Sequence, residues 1–375
     1  MTQLQLLLES RIDSVRSKTF HYRPKDKQRI PWSSYDRAQE DELPEVIHLI
    51  RHVVDRASMD LALPPERDAT GKESYPKSDL ARLLLAQQYD GRCNRVSVGL
   101  LSLLDTHLGM TGKGRCMSYK TLERAYEDAG VMALLDEAFF LTQLPVIGRE
   151  HDFSMDGTCH PTTIKQNWES SKDEIMRLVG SKKRATSAKR RCEFEKTVLA
   201  VGTTFKIIAS FARTNSPFAN ESPYLRPLLK QVVELYAVVA KVCLDSGLLS
   251  RENCTLIEGA GAMPRIFPKK GVSIKARGSK AWKKMLVEFV QDTQAWLMEY
   301  HSRSIVETVN STLKRLFVVP LRKRLLERKA TELLARIVVY NIHQLIYLKY
   351  TKGMDISLKK STKPYATTLM SWINP

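Results

Sequence analysis

Between residues 150 and 270 the chain alternates short β-rich runs with helical stretches. That order limits the available folds more than any other feature. His151-Asp152-Phe153-Ser154-Met155-Asp156 alternates weakly and stops at a Gly turn, as a strand would. Phe194–Thr203 and Phe205–Arg213 are rich in β-branched and aromatic residues and meet at Gly202-Thr203-Thr204, which reads as a hairpin turn. Tyr224–Leu235 has helical spacing. Ala237–Leu244 is a nearly continuous apolar run, as expected of a strand buried on both faces. Ser250–Glu258 reads as a helix capped by Ser250, and Pro264–Pro268 as a short strand. The series strand, hairpin, helix, strand, helix, strand predicts an α/β fold with a mixed sheet flanked by helices.

The flanks are helical. Leu80, Leu83, Leu84 and Leu85, then Val98, Leu101, Leu104 and Leu108, recur at three and four, so residues 44–58 and 78–145 are expected to be helices. Ser118 caps a short helix opened by Thr121-Leu122-Glu123. The Gly-rich turn before it would suit a DNA-reading helix, though an ordinary packing unit is the simpler reading. Residues 280–350 read as almost entirely helical. Residues 1–45 are polar and basic around Arg23–Arg29, which suggests a loosely packed arm with a short helix at its start. The organisation expected is an N-terminal arm and helix over 1–62, a linker over 63–77, a helical region over 78–148, an α/β domain over 149–350 and a basic tail over 351–375.

Charge narrows the partner. Against 59 Lys and Arg stand 41 Asp and Glu, a net charge of +18, so a polyanion is expected: nucleic acid first, an anionic membrane second. Lys182, Lys183 and Arg184, then Lys189, Arg190 and Arg191, flank a Ser/Ala/Thr loop. From Gly259 to Leu286 there are eight Lys/Arg and no Asp or Glu, among them Lys269, Lys270, Lys275 and Arg277. Such runs are usually solvated faces. Lying between the elements of an acidic site, they read better as a groove for a phosphate backbone, with strongly salt-dependent binding. No uninterrupted apolar run reaches the ~18 residues of a membrane span, and the start lacks the pattern of a secretory signal. The six cysteines are scattered without C-x-x-C, which suits a reducing cytoplasm and argues against zinc ribbons. Neither phosphate-cradling glycine motif occurs, so a nucleotide-driven enzyme is not indicated.

Two constellations carry chemistry. Tyr300, Arg303, Glu307 and Lys314, placed on one helix, fall at about 0°, 300°, 340° and 320°, opposite Ile305, Val309, Leu313 and Leu316. Taken alone this is the solvent face of an amphipathic helix with an ordinary Arg303–Glu307 ion pair. The second constellation is an Asp at the end of each of two strands, Asp156 and Asp245. With Glu307 alongside, three carboxylates would surround one point, an arrangement that repels itself without a cation. Oxygen-only ligands suit Mg²⁺ or Mn²⁺, and two such ions about 3.5–4 Å apart can activate an attacking oxygen and stabilise a leaving oxygen at a phosphodiester. His48 and His52, at i and i+4, lack an evident third ligand. His160 reads as a loop residue near Asp156, and His301 as pointing away. Trp168, Trp282 and Trp296 could stack on a flipped base, though core packing is the simpler reading. Cys159 and Cys243 read as small buried groups.

These residues resemble the DDE transposases of bacterial and archaeal insertion sequences, whose catalytic core is a ribonuclease H-like fold. The resemblance rests on Met155-Asp156-Gly157-Thr158, on Leu244-Asp245-Ser246-Gly247 through Asn253, and on the Tyr-x2-Arg-x3-Glu-x6-Lys pattern of Tyr300–Lys314. Pro264–Lys270, Lys275–Ser279 and Glu332–Leu345 also look like the family. The similarity covers roughly residues 150–348, with a weaker match over 75–145. The pattern departs at Leu248-Leu249, where an aromatic residue is common, and at Arg315–Val319, where a Gly is common. The resemblance implies that Asp156, Asp245 and Glu307 are the catalytic metal ligands for two Mg²⁺ or Mn²⁺ ions. It implies that Tyr300, Arg303 and Lys314 contact the DNA end, and that residues 78–148 help bind terminal inverted repeats. A cytoplasmic, nucleoid-associated homodimer acting on double-stranded DNA, without a membrane, would follow. A non-catalytic DNA-binding descendant and a nuclease or resolvase of the same fold are the other readings.

Overall fold

The computed structural model describes residues 2–21, 31–63, 74–110, 117–162, 194–214, 216 and 218–358. Five strands form one mixed sheet: β1 (Asp152–Pro161), β2 (Phe194–Gly202), β3 (Ile208–Arg213), β4 (Lys241–Leu244) and β5 (Met263–Ile266), in the order β3-β2-β1-β4-β5. The first three make an antiparallel meander, while β4 joins β1, and β5 joins β4, in parallel. Helix α8 (Ser222–Tyr236) carries the chain from β3 to β4, and α9 (Arg251–Gly259) from β4 to β5. This is the expected α/β class, a ribonuclease H-like mixed sheet flanked by helices with a helical N-terminal region.

Strand alternation divides the interior into two cores. In β2, Val198 and Ala200 face one side and Leu199 and Val201 the other. On the Leu199 side pack α3 (Glu42–Leu61), α4 (Lys77–Asp90), α6 (Tyr119–Ala125), α7 (Ala129–Leu141), α12 (Ser304–Leu316) and the long α13 (Leu326–Lys352). On the Val198 side lie α1 (Gln3–Arg16), α8, α9, α10 (Lys280–Gln291) and α11 (Thr293–Tyr300). The helical N-terminal layer thus shares its core with the sheet and with α12 and α13. Helices α2 (Trp32–Glu40) and α5 (Asn94–Leu101) complete the described α-helices.

Polar groups hold the layers in register. Asn341 of α13 accepts from Ile208 N and donates to Ile208 O, both at 3.0 Å, serving the backbone of edge strand β3. The buried Glu150 carboxylate accepts from Thr204 N and Phe205 N and fixes the β2–β3 turn. Ser118 and Ser250 cap α6 and α9, as their positions predicted.

Several expectations need correction. Helix α1 is no loose arm: Leu8 and Ile12 are fully buried, and Gln5 bonds Val272 O and Ile274 N beside α10. The strand containing Asp156 does not stop at a Gly turn. It runs on through Gly157 to Pro161, because β2 continues to pair with it. The run Ala237–Leu244 is a strand only from Lys241. The helical stretch after 280 is interrupted over 317–325. By length and composition Ala129–Val146 is apolar enough to cross a membrane. In the fold it is α7 and the turn after it, with Val131, Leu134, Leu135, Phe139 and Leu141 buried in the first core.

Candidate metal and nucleic-acid site

Strand β4 ends at Leu244, paired with Met155, while β1 continues. The next residues on the two parallel strands are Asp156 and Asp245, whose backbones lie about 5 Å apart. Met155 and Leu244 point into the second core, so alternation turns both aspartates to the opposite face. There the chain breaks its helix. Helix α11 ends at Tyr300, a single 3-10 turn spans His301–Arg303, and α12 starts at Ser304. Small side chains lock this turn to the strands: Ser154 Oγ donates to Arg303 O at 3.1 Å, and Cys243 Sγ lies 3.2 Å from Ser302 Oγ. Arg303 and Glu307 are thereby set above the end of β4 and the middle of β1.

The guanidinium of Arg303 is the hub. It lies 2.7 Å from Glu307 Oε1 and 3.8 Å from Asp245 Oδ1. Asp245 also accepts from Gly247 N at 2.9 Å. Asp156 meets the Asn310 amide of α12 at 3.5 Å. Burial pushes the Asp156 carboxyl up to about 6, and the charge of Glu221 adds to the rise. Tyr300 stacks on Trp296 at 5.3 Å and leans on Phe267; burial raises its phenol to about 12.

The structure therefore brings Asp156, Asp245, Arg303 and Glu307 together at one rim, with Tyr300 beside them. Tyr300 closes α11, Arg303 closes the 3-10 turn, and only Glu307 and Lys314 lie on α12, so the single-helix stripe is split over three elements. Lys314 is exposed farther along α12, on the side of β1 that carries His160. His160 itself is half-buried, its ring 3.0 Å from Thr197 Oγ1, and desolvation lowers its imidazole to about 3. Lys269 reaches toward Gly247 O at 3.5 Å, two residues past Asp245. Lys270 pairs with Asp13 of α1 at 3.4 Å. Lys275 and Arg277 are exposed on a loop whose carbonyls at Lys275 and Ala276 are held by Arg251. Lys182, Lys183, Arg184, Lys189, Arg190, Arg191 and Trp168 lie outside the described residues. Trp282 and Trp296 are core residues. His48 and His52 stack on the exposed face of α3.

Two residues escaped the sequence reading. Asn310 is 7% exposed, and its Oδ1 has no hydrogen-bond partner. Its spacing of three from Glu307, on the same helix face, was the available signal. Glu221 sits at the start of α8 with its carboxylate against Gly157; no local motif marked it.

A hard cation suits this rim in donor type. The three acids offer only oxygens, Asn310 adds an orphaned buried acceptor, and the Arg303 guanidinium stands between the carboxylates as a cation would. Among the described residues no three His, Cys, Asp or Glu side chains are close enough to enclose one ion. Arg303 must therefore move for the acids to close on a metal.

Comparison with known proteins gives the same direction. A probable transposase for insertion sequence element ISA1214 from Archaeoglobus fulgidus is 23% identical over 320 residues, covering 85% of this chain and 90% of the relative. The family model described as Transposase DDE domain matches residues 149–342, from just before β1 into α13. With just over half its length inside that match, this chain belongs to the transposase DDE domain family.

Proposed function

We propose that this protein is the transposase of an insertion sequence, binding the terminal inverted repeats of its element and catalysing divalent-metal-dependent DNA strand cleavage and strand transfer. The family supports it, as does the relative described as a probable insertion-sequence transposase. The observation that carries it is Arg303 bridging Asp245 and Glu307 just past the end of β4, with Asp156 on the neighbouring strand and bonded to Asn310 of α12. Asp156, Asp245 and Glu307 would hold two Mg²⁺ or Mn²⁺ ions. When bound, such ions activate the attacking oxygen and stabilise the leaving oxygen at phosphorus.

The chain's own side chains do the rest. Arg303 holds Asp245 and Glu307 in place before DNA arrives and is free to turn to a phosphate afterwards, where its planar fork gives bidentate contacts. Lys314 along α12 and Lys269, Lys275 and Arg277 beyond β5 fix the backbone on either side of the cut. Tyr300, braced by Trp296, presents a rigid phenol to the DNA end. Residues 78–148, with Ser118 capping α6, form the end-binding region of the proposed organisation, ahead of a catalytic domain over 149–350. Water attack and 3′-OH attack are both in-line displacements at phosphorus, so one site serves both. Pairing two ends calls for a homodimer on DNA, in a cytoplasmic, nucleoid-associated setting.

Incubation with labelled element-end duplexes and Mg²⁺ tests this. Wild type should nick at the element boundary, and Asp156→Asn and Glu307→Gln should lose nicking by at least about 10³-fold while still binding the duplex. Binding without nicking in wild type would leave only a DNA-binding descendant. Cleavage of branched DNA regardless of terminal sequence would point to a resolvase.

A further inference from the structure

We propose that helix α1 belongs to the DNA-binding surface, with the guanidinium of Arg16 taking a backbone phosphate of the duplex strand that runs past Tyr300. This deepens the function proposed above and rests on it.

Arg16 is placed by an aromatic ring and by no acid. It stands exposed in the last turn of α1 and lies over the ring of Phe267, 5.9 Å from its centre. Phe267 lies in turn 5.8 Å from the ring of Tyr300. Arg16 thus extends the stack of Trp296 and Tyr300 outward from the acidic rim. Among the described residues its N–H groups have no hydrogen bond or ion pair. Other arginines are occupied by carboxylates: Arg265 pairs with Glu288 and Glu299, and Arg328 with Glu123 and Glu127. A guanidinium stacked by its face keeps its donor edge free, and that edge accepts a phosphate through two parallel bonds. Arg11 repeats the pattern, exposed and 5.7 Å over the ring of Phe20.

The rest of α1 fixes this arginine beside the site. Leu8 and Ile12 anchor the helix in the second core. The Gln5 amide donates to Val272 O at 2.8 Å and accepts from Ile274 N at 2.9 Å, so α1 is tied to the loop after β5. The same loop carries Lys269, whose ammonium lies 3.5 Å from Gly247 O, two residues past Asp245. Asp13, the acid nearest Arg16 in sequence, is already paired with Lys270. A strand leaving the acidic rim across Lys269 and Phe267 therefore meets Arg16 next, with Lys18 exposed just beyond it. An arginine that only covered a ring would gain its contact equally well with an acid on its donor edge, and here that edge is open.

Fluorescence anisotropy of the full chain with a labelled element-end duplex, repeated over a range of KCl concentrations, tests this. Arg16→Gln should lower the slope of log affinity against log salt by about 1 and leave the melting temperature at the wild-type value. Arg16→Lys, which keeps the charge, should hold the wild-type slope. Hydroxyl-radical footprints of the Arg16→Gln complex should lose protection within about one helical turn of the element boundary. A wild-type slope in Arg16→Gln, or protection lost only elsewhere on the duplex, overturns the proposal. A guanidinium that merely covers Phe267 would change the melting temperature and not the slope. If wild type does not bind the duplex in a salt-dependent way, the function proposed above fails as well; if Lys269→Gln flattens the slope and Arg16→Gln does not, only the role of α1 fails.

Discussion

Asp156 carries the sharpest residue-scale consequence. Its carboxyl titrates near 6 in the fold because of burial first and Glu221 second, against about 3.9 in an unfolded chain. The folded state therefore holds the proton to higher pH than the unfolded state does. Without metal, stability should fall as pH rises from about 4 to about 6, then level off. Asp156→Asn removes this penalty. It should be more stable than wild type above pH 6 by about 1 kcal/mol, after allowing for solvent screening of a partly exposed group. The two should be equal near pH 4. Thermal melts across pH 4–8 in a chelator check the sign; a variant less stable than wild type at pH 7 would refute it. Gly157 bears on the same point, since an alanine there must displace Glu221 or Lys196. Gly157→Ala should cost about 1–3 kcal/mol in urea unfolding; no loss would mean the carboxylate is not held where it lies.

Elements are fixed by buried polar anchors, and Glu332 ties α13 to the 317–325 segment and through it to α6. It is 1% exposed, accepts from Arg322 N and Lys323 N, and pairs with Arg336 at 2.9 Å. These bonds set the 317–325 segment between α12 and α13. They also bring Lys323 within 2.6 Å of Glu123 on α6 and 3.9 Å from the ring of Tyr126. Glu332→Gln leaves Arg336 buried without its counter-charge and should cost about 2–4 kcal/mol, read as a lower urea midpoint. An unchanged midpoint would mean the network carries no stability. The same scale explains what the sequence made legible. Periodicity and turn residues located β2, β3, α8, α9 and β5 within a few residues, because these elements follow local patterns. The passage of β1 through Gly157 had no local mark, since pairing with β2 and the space needed by Glu221 decide it. The break at His301–Arg303 contains neither Gly nor Pro; it is imposed by Ser154 and Cys243 from strands far off in the chain. Strand ends, helical spacing and the family resemblance marked the acids and Arg303, and a spacing of three from Glu307 marked Asn310, whereas Glu221 emerges only once layers pack.

At the scale of the whole molecule, the net charge is +18, and Lys269, Lys275, Arg277 and Lys314 are exposed. If six to ten phosphates are contacted, affinity for an element-end duplex should fall about 10³–10⁵-fold between 50 and 200 mM salt. Removing Lys269 and Lys275 together should flatten the slope of log affinity against log salt by about 2. An unchanged slope would place the DNA on another face. All of this depends on oxygen ligands from β1, β4 and α12 closing on a hard cation once Arg303 withdraws. The most direct test is anomalous diffraction from crystals soaked in Mn²⁺. The account predicts Mn²⁺ peaks bonded to carboxyl oxygens of Asp156, Asp245 and Glu307, with the Arg303 guanidinium turned away. Mn²⁺ bound elsewhere, with Arg303 still bridging Asp245 and Glu307, would contradict it.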